Sequence, residues 1–411
     1  MSSSNWSILK SLVVVGAMQV ASAPMPQQSQ AQDSKSTYSF HSLLAAKALT
    51  NNWYNKQSGL WDNLWWNSGN ALTILADFTQ LRPTESGAAN TKWIIGNTFT
   101  QAQKADVKTK KVMGNQGMAT TQTCINGQGN CTGLLEIRDG ELDKRLFKNF
   151  INTYYDDEGW WALGLIRSYD ATHDKKYLDA AVSIFRDMRT GLGGPCHGGI
   201  YWSKDRSYVN AIANELYLSV AASLANRIPK DKPYFLRTAK EQWNWFEKSG
   251  MINKNNLIND GLDANCKNNG GLTWSYNQGV VLGGLTELYR ATGDRNYLKK
   301  ANSIAHAAIK ALSNKNGILV EVNKCEFDSG HCGQDAQQFK GIFIRNLRYL
   351  YDNAPNADFR TFILRNADAI WKKDHDGQNR LGASWDGPYF AAKGPSHSSA
   401  MDVLISAIAV A

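Results

Sequence analysis

Apolar residues recur at a period close to 3.6 in twelve stretches of this chain, and these stretches are of two alternating kinds. The first kind covers about 40 to 54, 91 to 105, 174 to 189, 233 to 248, 294 to 312 and 357 to 372. In the third of these, Tyr177, Leu178, Ala181, Ile184, Phe185 and Met188 share one face while Lys175, Lys176, Asp179 and Arg186 lie opposite. That is the stripe of a helix with one side in water. The second kind covers about 68 to 81, 157 to 169, 210 to 226, 277 to 291, 335 to 351 and 397 to 410. It is richer in Gly, Ala and Leu, as in Gly279-Val280-Val281-Leu282-Gly283-Gly284-Leu285, a composition suited to helices crowded on every side. Alternation of the two kinds predicts an all-α protein, an (α/α)6 toroid with six outer and six inner helices around one core.

An internal repeat supports this organisation. Thr153-Tyr154-Tyr155-Asp156-Asp157-Glu158-Gly159 aligns with Thr273-Trp274-Ser275-Tyr276-Asn277-Gln278-Gly279. The same offset brings Ala171-Thr172-His173-Asp174 onto Ala291-Thr292-Gly293-Asp294 and Tyr177-Leu178 onto Tyr297-Leu298. With a related segment at Tyr234-Phe235-Leu236, the unit is a helix pair of roughly 60 residues. Strand-like alternation is scarce apart from short ribbons near Ile200-Tyr201-Trp202 and Ile318-Leu319-Val320. Long connections at about 106 to 156, 190 to 209, 249 to 276, 313 to 334 and 373 to 396 lead from outer to inner helices and hold all six cysteines. Six thiols allow fifteen pairings; Cys124 with Cys131 and Cys325 with Cys332 can close small loops, which leaves Cys196 with Cys266. The staples would brace one mouth, where the N-termini of the inner helices gather.

Composition places this fold in a compartment. Lys10, the apolar run Leu12 to Val20 and Ala21-Ser22-Ala23 form a secretory signal pattern too short to span a bilayer. Pro24 disfavours cleavage there, so the polar stretch Gln27 to Lys35 is the alternative place for a mature terminus. Residues 1–35 are therefore set aside as signal peptide and polar segment, leaving 36–411 as a single catalytic domain. The apolar stretch Val403 to Ala411 is short and lacks the polar spacer of a lipid-anchor signal. Together these features predict a soluble, secreted monomer in the extracellular space or cell wall, and Asn130-Cys131-Thr132 is a glycosylation acceptor that fits export. The net charge of +9 is scattered among 36 acids, which reads as solvated surface and not as a nucleic-acid or membrane patch; a basic surface also suits an anionic wall polymer. No cysteine pair has zinc spacing, and Asp374-His375-Asp376-Gly377 reads as a turn, so no metal or cofactor is expected.

The mouth can be populated from the sequence. It should present Trp65, Trp66 and Asn67, then Tyr155 to Trp161, then Tyr201, Trp202 and Asn210. Further round come Trp274, Tyr276, Asn277 and Gln278, then Gln334 and Asp335, then Trp385, Asp386 and His397. Aromatic faces stack on sugar C–H faces while Asn, Gln and Asp bond hydroxyls, so the mixture suits a carbohydrate groove. Any one tryptophan is as readily core as platform; Trp160 and Trp161 read as packing, Trp65 and Trp274 as platforms. Asp156 and Asp157 have an equally plain alternative, since acids in a first turn favour the helix dipole and Thr153 with Asp156 could form a cap. Against this, glycoside hydrolysis needs two carboxyl groups, and a retaining mechanism needs them about 5 Å apart. The positions equivalent to the pair in the next repeat are Tyr276 and Asn277, so the fold does not demand acids there. Glu158 reads as capping or support.

Tyr155-Asp156-Asp157-Glu158-Gly159-Trp160-Trp161-Ala162-Leu163, opening an inner helix of a twelve-helix toroid, resembles glycoside hydrolase family 76, the endo-α-1,6-mannanases of bacteria and fungi. The resemblance covers about 38 to 411 and implies retaining cleavage of α-1,6-linked mannan, with Asp156 as nucleophile and Asp157 as acid/base. It also implies a mannan polysaccharide or oligosaccharide as the partner and, with the export signals, a fungal member. Three other readings use the same residues differently. A cell-wall mannosyl transglycosidase would share the carboxylates but pass the sugar to another glycan. A glycan-binding toroid would not need an acid/base pair. A sugar epimerase of similar fold relies on paired histidines, whereas only His397 is expected at the mouth and His173 and His306 fall on the outer ring.

Overall fold

The computed structural model describes Met1 and residues 27–113, 119–129, 131, 148–327 and 332–411. Asn130 of the glycosylation acceptor and the signal pattern lie outside the described residues. Outer and inner helices alternate along the chain. They run α1 (Gln27–Trp53) and α2 (Trp65–Leu81), a short α3 (Pro83–Gly87), α4 (Thr91–Ala102) and α5 (Tyr155–Thr172), then α6 (Lys175–Met188) and α7 (Ala211–Arg227). There follow α8 (Lys232–Lys248) and α9 (Ser275–Thr292), α10 (Arg295–Leu312) and α11 (Gly333–Asn353), and α12 (Ala357–Lys373) and α13 (Gly394–Val410). Helices α2, α5, α7, α9, α11 and α13 each pack against the next, and α13 packs against α2 to close the inner ring. Outer helices α4, α6, α8 and α10 pack chiefly on the inner helix that precedes them, whereas α12 packs mostly on α13, on which α1 also lies. This is the twelve-helix toroid. No helix among the described residues is long and apolar enough to cross a membrane.

The repeated Ala-Thr-x-Asp corners explain the turns from inner to outer helices. His173 and Gly293 adopt left-handed φ values of 59° and 77°, and their N–H groups close the helix ends on the carbonyls of Tyr169 and Tyr289. The next residues, Asp174 and Asp294, accept from the backbone N–H of Lys176 and Asn296 and start the outer helices. The predicted faces of α6 are observed, with Tyr177, Leu178, Ala181, Ile184, Phe185 and Met188 all buried.

Two elements differ from the sequence-based expectation. Helix α1 begins at Gln27, so the polar stretch set aside continues the helix instead of preceding it. More consequentially, the connection after α4 holds a β-hairpin, since β1 (Tyr54–Asn55) and β2 (Leu60–Trp61) are followed by β3 (Val107–Met113) paired antiparallel with β4 (Ala119–Ile125). A two-residue β5 (Gln128–Gly129) extends the sheet. Threonine and valine favour strands here, with Val107 and Thr109 buried on one face. The ribbons expected near Ile200 and Ile318 are single bridges, Leu192 with Ile200 and Ser313 with Leu319. Disulfides join Cys124 to Cys131, Cys196 to Cys266 and Cys325 to Cys332, all in connections leading to inner helices.

Inner helices approach one another across glycines. A Cβ on Gly279 would lie 2.6 Å from Phe343 Cα, and one on Gly341 would lie 2.4 Å from the Ser399 carbonyl oxygen. At the C-terminal end of the ring, arginines meet carboxylates from neighbouring helices. Arg167 and Arg348 both hold Asp77, while Arg227 bridges Asp170 and Glu287. Cations there complement the negative ends of the helices. The close approach makes a specific prediction. Gly341→Val should cost about 1–3 kcal/mol in urea-induced unfolding, the usual effect of overpacking. Gly87→Ala, where a Cβ would meet nothing within 4 Å, should leave the midpoint nearly unchanged, and equal losses for both would contradict the packing argument.

Candidate active site

The site is built on the first turn of α5. Its N-cap is Tyr154, which makes no side-chain cap bond, and Thr153 donates its hydroxyl to the Thr109 carbonyl. Neither Asp156 nor Asp157 therefore serves as the cap, and both are buried. Instead Lys111, from β3, places its Nζ 2.6 Å from Asp156 Oδ2 and 2.6 Å from Asp157 Oδ1. Asn152 donates its side-chain amide to Asp157 Oδ2 at 2.6 Å and accepts the Tyr154 N–H, so a single residue sets both the helix entry and the second aspartate. Asp156 Oδ1 has no hydrogen-bond partner among the described residues.

A cleft of about 430 Å³ is lined by Lys111, Tyr154, Trp202, Tyr208, Asp260 and Asn269. Burial, opposed by the nearby Lys111, raises Asp157 to about 6. Asp260 rises to about 6 for the same first reason, although Tyr208 donates to it at 2.6 Å. Glu158 points away, pairs with Lys204 at 2.8 Å, and is held well above the usual carboxylate range by burial. It ties α5 to the following connection. A larger cavity of about 780 Å³ lies at the opposite, C-terminal end among the arginine–carboxylate pairs. The two spaces are separated by rings from four inner helices, with Trp66 and Trp160 5.8 Å apart, Trp160 and Tyr276 6.4 Å apart, and Tyr276 stacked on Phe339 at 3.8 Å. Because the adjacent pair Asp156 and Asp157 lies on the N-terminal side of this layer with Lys111, which lines the smaller cleft, we assign the candidate site there.

The predicted residues sort into three groups. Trp202 lines the cleft with the Lys111 ammonium over its ring, Tyr276 forms part of the aromatic layer, and Asn277 is buried beside it with both amide atoms unpartnered among the described residues. Tyr201 is half-buried under Arg206, while Trp66 and Asp335 bond each other and Asn67 bonds the Gln334 carbonyl. The others are structural. Trp65 packs against Trp161 in the core, Trp274 against Phe339, and Trp385 lies under Lys340, so none of the three offers a free face. Tyr155 is turned to Thr190, and its neighbour Tyr154 takes the cleft. Asn210 caps α7, Gln278 braces both backbone groups of Ile258, and Asp386 holds Asn314 and Lys373. His397 is a core residue, accepting from Leu381 N–H and lying 2.8 Å from the Ala45 carbonyl.

Helical periodicity gives a position along the chain but not the direction of a side chain at a helix start, which explains these misplacements. The residues missed are Lys111, Asn152, Tyr208 and Asp260. Only the period-2 face Val107, Thr109 and Lys111 carried a readable signal. The metal-like cluster Cys325, Glu326 and Cys332 offers no thiolate, because its sulfurs form a disulfide and Lys340 pairs with Glu326 at 2.9 Å.

Burial lowers His397 to about 4. Its folded value is thus below the ordinary value of about 6.5 in the unfolded chain. Above about pH 6.5 both states are neutral; between that value and about 4 only the unfolded chain gains the proton, so stability falls as pH falls. The loss should total about 3 kcal/mol. Unfolding free energies at pH 7 and pH 5 should differ less in His397→Gln than in the wild type, and an unchanged difference would refute this account.

Known proteins can now be set against this geometry. The profile of Glycosyl hydrolase family 76 matches residues 140–409. The chain is 24% identical over 372 residues to the mannan endo-1,6-alpha-mannosidase DFG5 of Candida albicans, spanning 84% of this chain and 72% of that protein. It is 30% identical over 209 residues to DFG5 of Saccharomyces cerevisiae, spanning 47% of this chain and 44% of that one. Among solved structures, the GH76A alpha-1,6-mannanase of Salegentibacter sp. HEL1_6 superposes with a TM-score of 0.69 at 19% identity, covering 91% of this chain and all of that one. A variant of the same mannanase, inactive through replacement of two adjacent aspartates and bound to alpha-1,6-mannotetrose, superposes with a TM-score of 0.68 at 18% identity, over 91% of this chain and 99% of that one. At these identities the superpositions speak for the fold.

Proposed function

The chain belongs to glycosyl hydrolase family 76 and is a glycosidase, and from that premise we propose that it cleaves α-1,6-linked mannan internally, with retention of anomeric configuration. The observation that carries this reading is the pairing of Asp156 and Asp157 on the ammonium of Lys111, a residue that lines the cleft. One oxygen of each lies 2.6 Å from the same lysine nitrogen, so the two are no more than twice that distance apart. A retaining pair stands about 5 Å apart, whereas an inverting pair leaves about 6.5–9.5 Å for a water. In this reading Asp156 attacks the anomeric carbon through Oδ1 while the glycosidic C–O bond breaks and the departing oxygen takes the proton of Asp157. Asp157, then ionised, draws a proton from water, whose oxygen displaces Asp156. A raised Asp157 suits the first step, because an acid near 6 is still protonated in mildly acidic solution. Tyr154 and Trp202 supply the aromatic wall for the sugar rings. A sugar hydroxyl in place of water in the second step would give transfer from the same intermediate. The mannosidase relatives support the substrate, and three disulfides support export to the cell wall or medium.

Unbranched α-1,6-mannan incubated with the protein should yield oligosaccharides whose fresh reducing ends are α by proton NMR. Asp156→Asn and Asp157→Asn should each lower kcat by about 10²–10⁴. No release from mannan, or undiminished release by both variants, would sink the proposal; β product would refute retention. Added oligosaccharide acceptors measure the balance of transfer and hydrolysis.

A further inference from the structure

We propose that Lys111 is a positioning residue of the reacting centre, its ammonium locking the facing oxygens of Asp156 and Asp157 and deciding which of them carries the charge. This rests on the reading of that pair as catalytic. The geometry is specific. Lys111 follows Val107 and Thr109 on the inward face of β3, and its side chain is only 5% exposed. Its Nζ stands 2.6 Å from each aspartate and 4.8 Å from the Tyr154 ring centroid. The strand is held in register on both sides: the Lys111 N–H donates to Tyr154 Oη at 2.9 Å, and across the hairpin Thr121 donates its hydroxyl to Asp335 at 2.7 Å. The hairpin thus spans from the start of α5 to the start of α11 and delivers one cation to the pair.

Charge decides what that cation does. Buried ions are costly unless compensated, and one ammonium compensates one carboxylate. The neutral arrangement is Lys111 protonated, Asp156 ionised and Asp157 carrying a proton, which is the state required before attack. Asp156 is the more exposed of the two, at 7% against 0% for their side chains, so the charge belongs on it. Its Oδ2 is held by the lysine while Oδ1 stays uncommitted. Other ionisable groups around the centre are otherwise engaged or more distant. Asp335 on α11 is held by Trp66 and Thr121, and Asp260 before α9 is held by Tyr208. Tyr154, Tyr276 and the buried Glu215 of α7 are the others, and burial raises all three above their ordinary ranges.

The test compares the wild type with Lys111→Met and Lys111→Arg. Without the ammonium the two carboxylates hold their protons to higher pH, so both limbs of the pH profile of kcat on α-1,6-mannan should move up by at least one unit. Activity at pH 5 should fall at least tenfold, and Lys111→Arg should restore the limbs. Unmoved limbs, or a Met variant more active than the wild type, would overturn the proposal and make Lys111 a latch over the pair. A second measurement uses no substrate. In wild-type protein labelled at the aspartate carboxyl carbon, NMR titration should show Asp157, assigned by its Asn variant, still carrying its proton at pH 5; Asp157 ionised below pH 4 would overturn it even if Lys111→Met does not fold. Activity surviving in Asp156→Asn and Asp157→Asn refutes the catalytic reading, whereas carboxyl titrations unchanged in Lys111→Met refute only the role of Lys111.

Discussion

The closed ring of inner helices, each packed on the next through glycines and α13 packed on α2, is the constraint on which the rest depends. Because inner helices alternate with outer ones, all six run the same way, and their positive N-terminal ends converge on one mouth. Their negative ends converge on the other, where Arg167, Arg227 and Arg348 tie neighbouring helices together. A glycine is required where backbones meet, as at Gly341 against Ser399, and any side chain there would push the ring open.

This polarity sorts the chemistry. Carboxylates at the mouth sit where helix dipoles favour their charge, but burial works against it, and the balance is struck residue by residue. Asp157, enclosed by Asn152 and Lys111, is raised to about 6, whereas Asp77 at the far end is lowered because two arginines outweigh its burial. Both carboxylates are inaccessible to solvent; their neighbours make one suited to giving up a proton near neutrality and the other a permanent anion. The aromatic layer of Trp66, Trp160, Tyr276 and Phe339 keeps these two environments apart.

Legibility of the site followed the range of the interaction. Asp156 and Asp157 stood out because the repeat offered Tyr276 and Asn277 in their place, a comparison made within one chain. Trp65 and Trp274 read as platforms and Trp385 as a residue of the mouth, yet each turns into the core, and a helix start does not announce which way its side chains point. Tyr154 and Tyr155 make the point most sharply, being adjacent in sequence and opposite in role.

The sequence by itself determined the number of helix pairs, their order, the Ala-Thr-x-Asp corners and the location of the double aspartate, because helical periodicity and capping act over a few residues. Only the tertiary structure decided what surrounds that pair. Lys111 lies 45 residues from Asp156 in a connection with no helical pattern, and reaches it because β3 and β4 are pinned between α5 and α11. Pairing a buried cation with a buried anion depends on how distant segments are folded together, and no local pattern of apolar and polar positions records that.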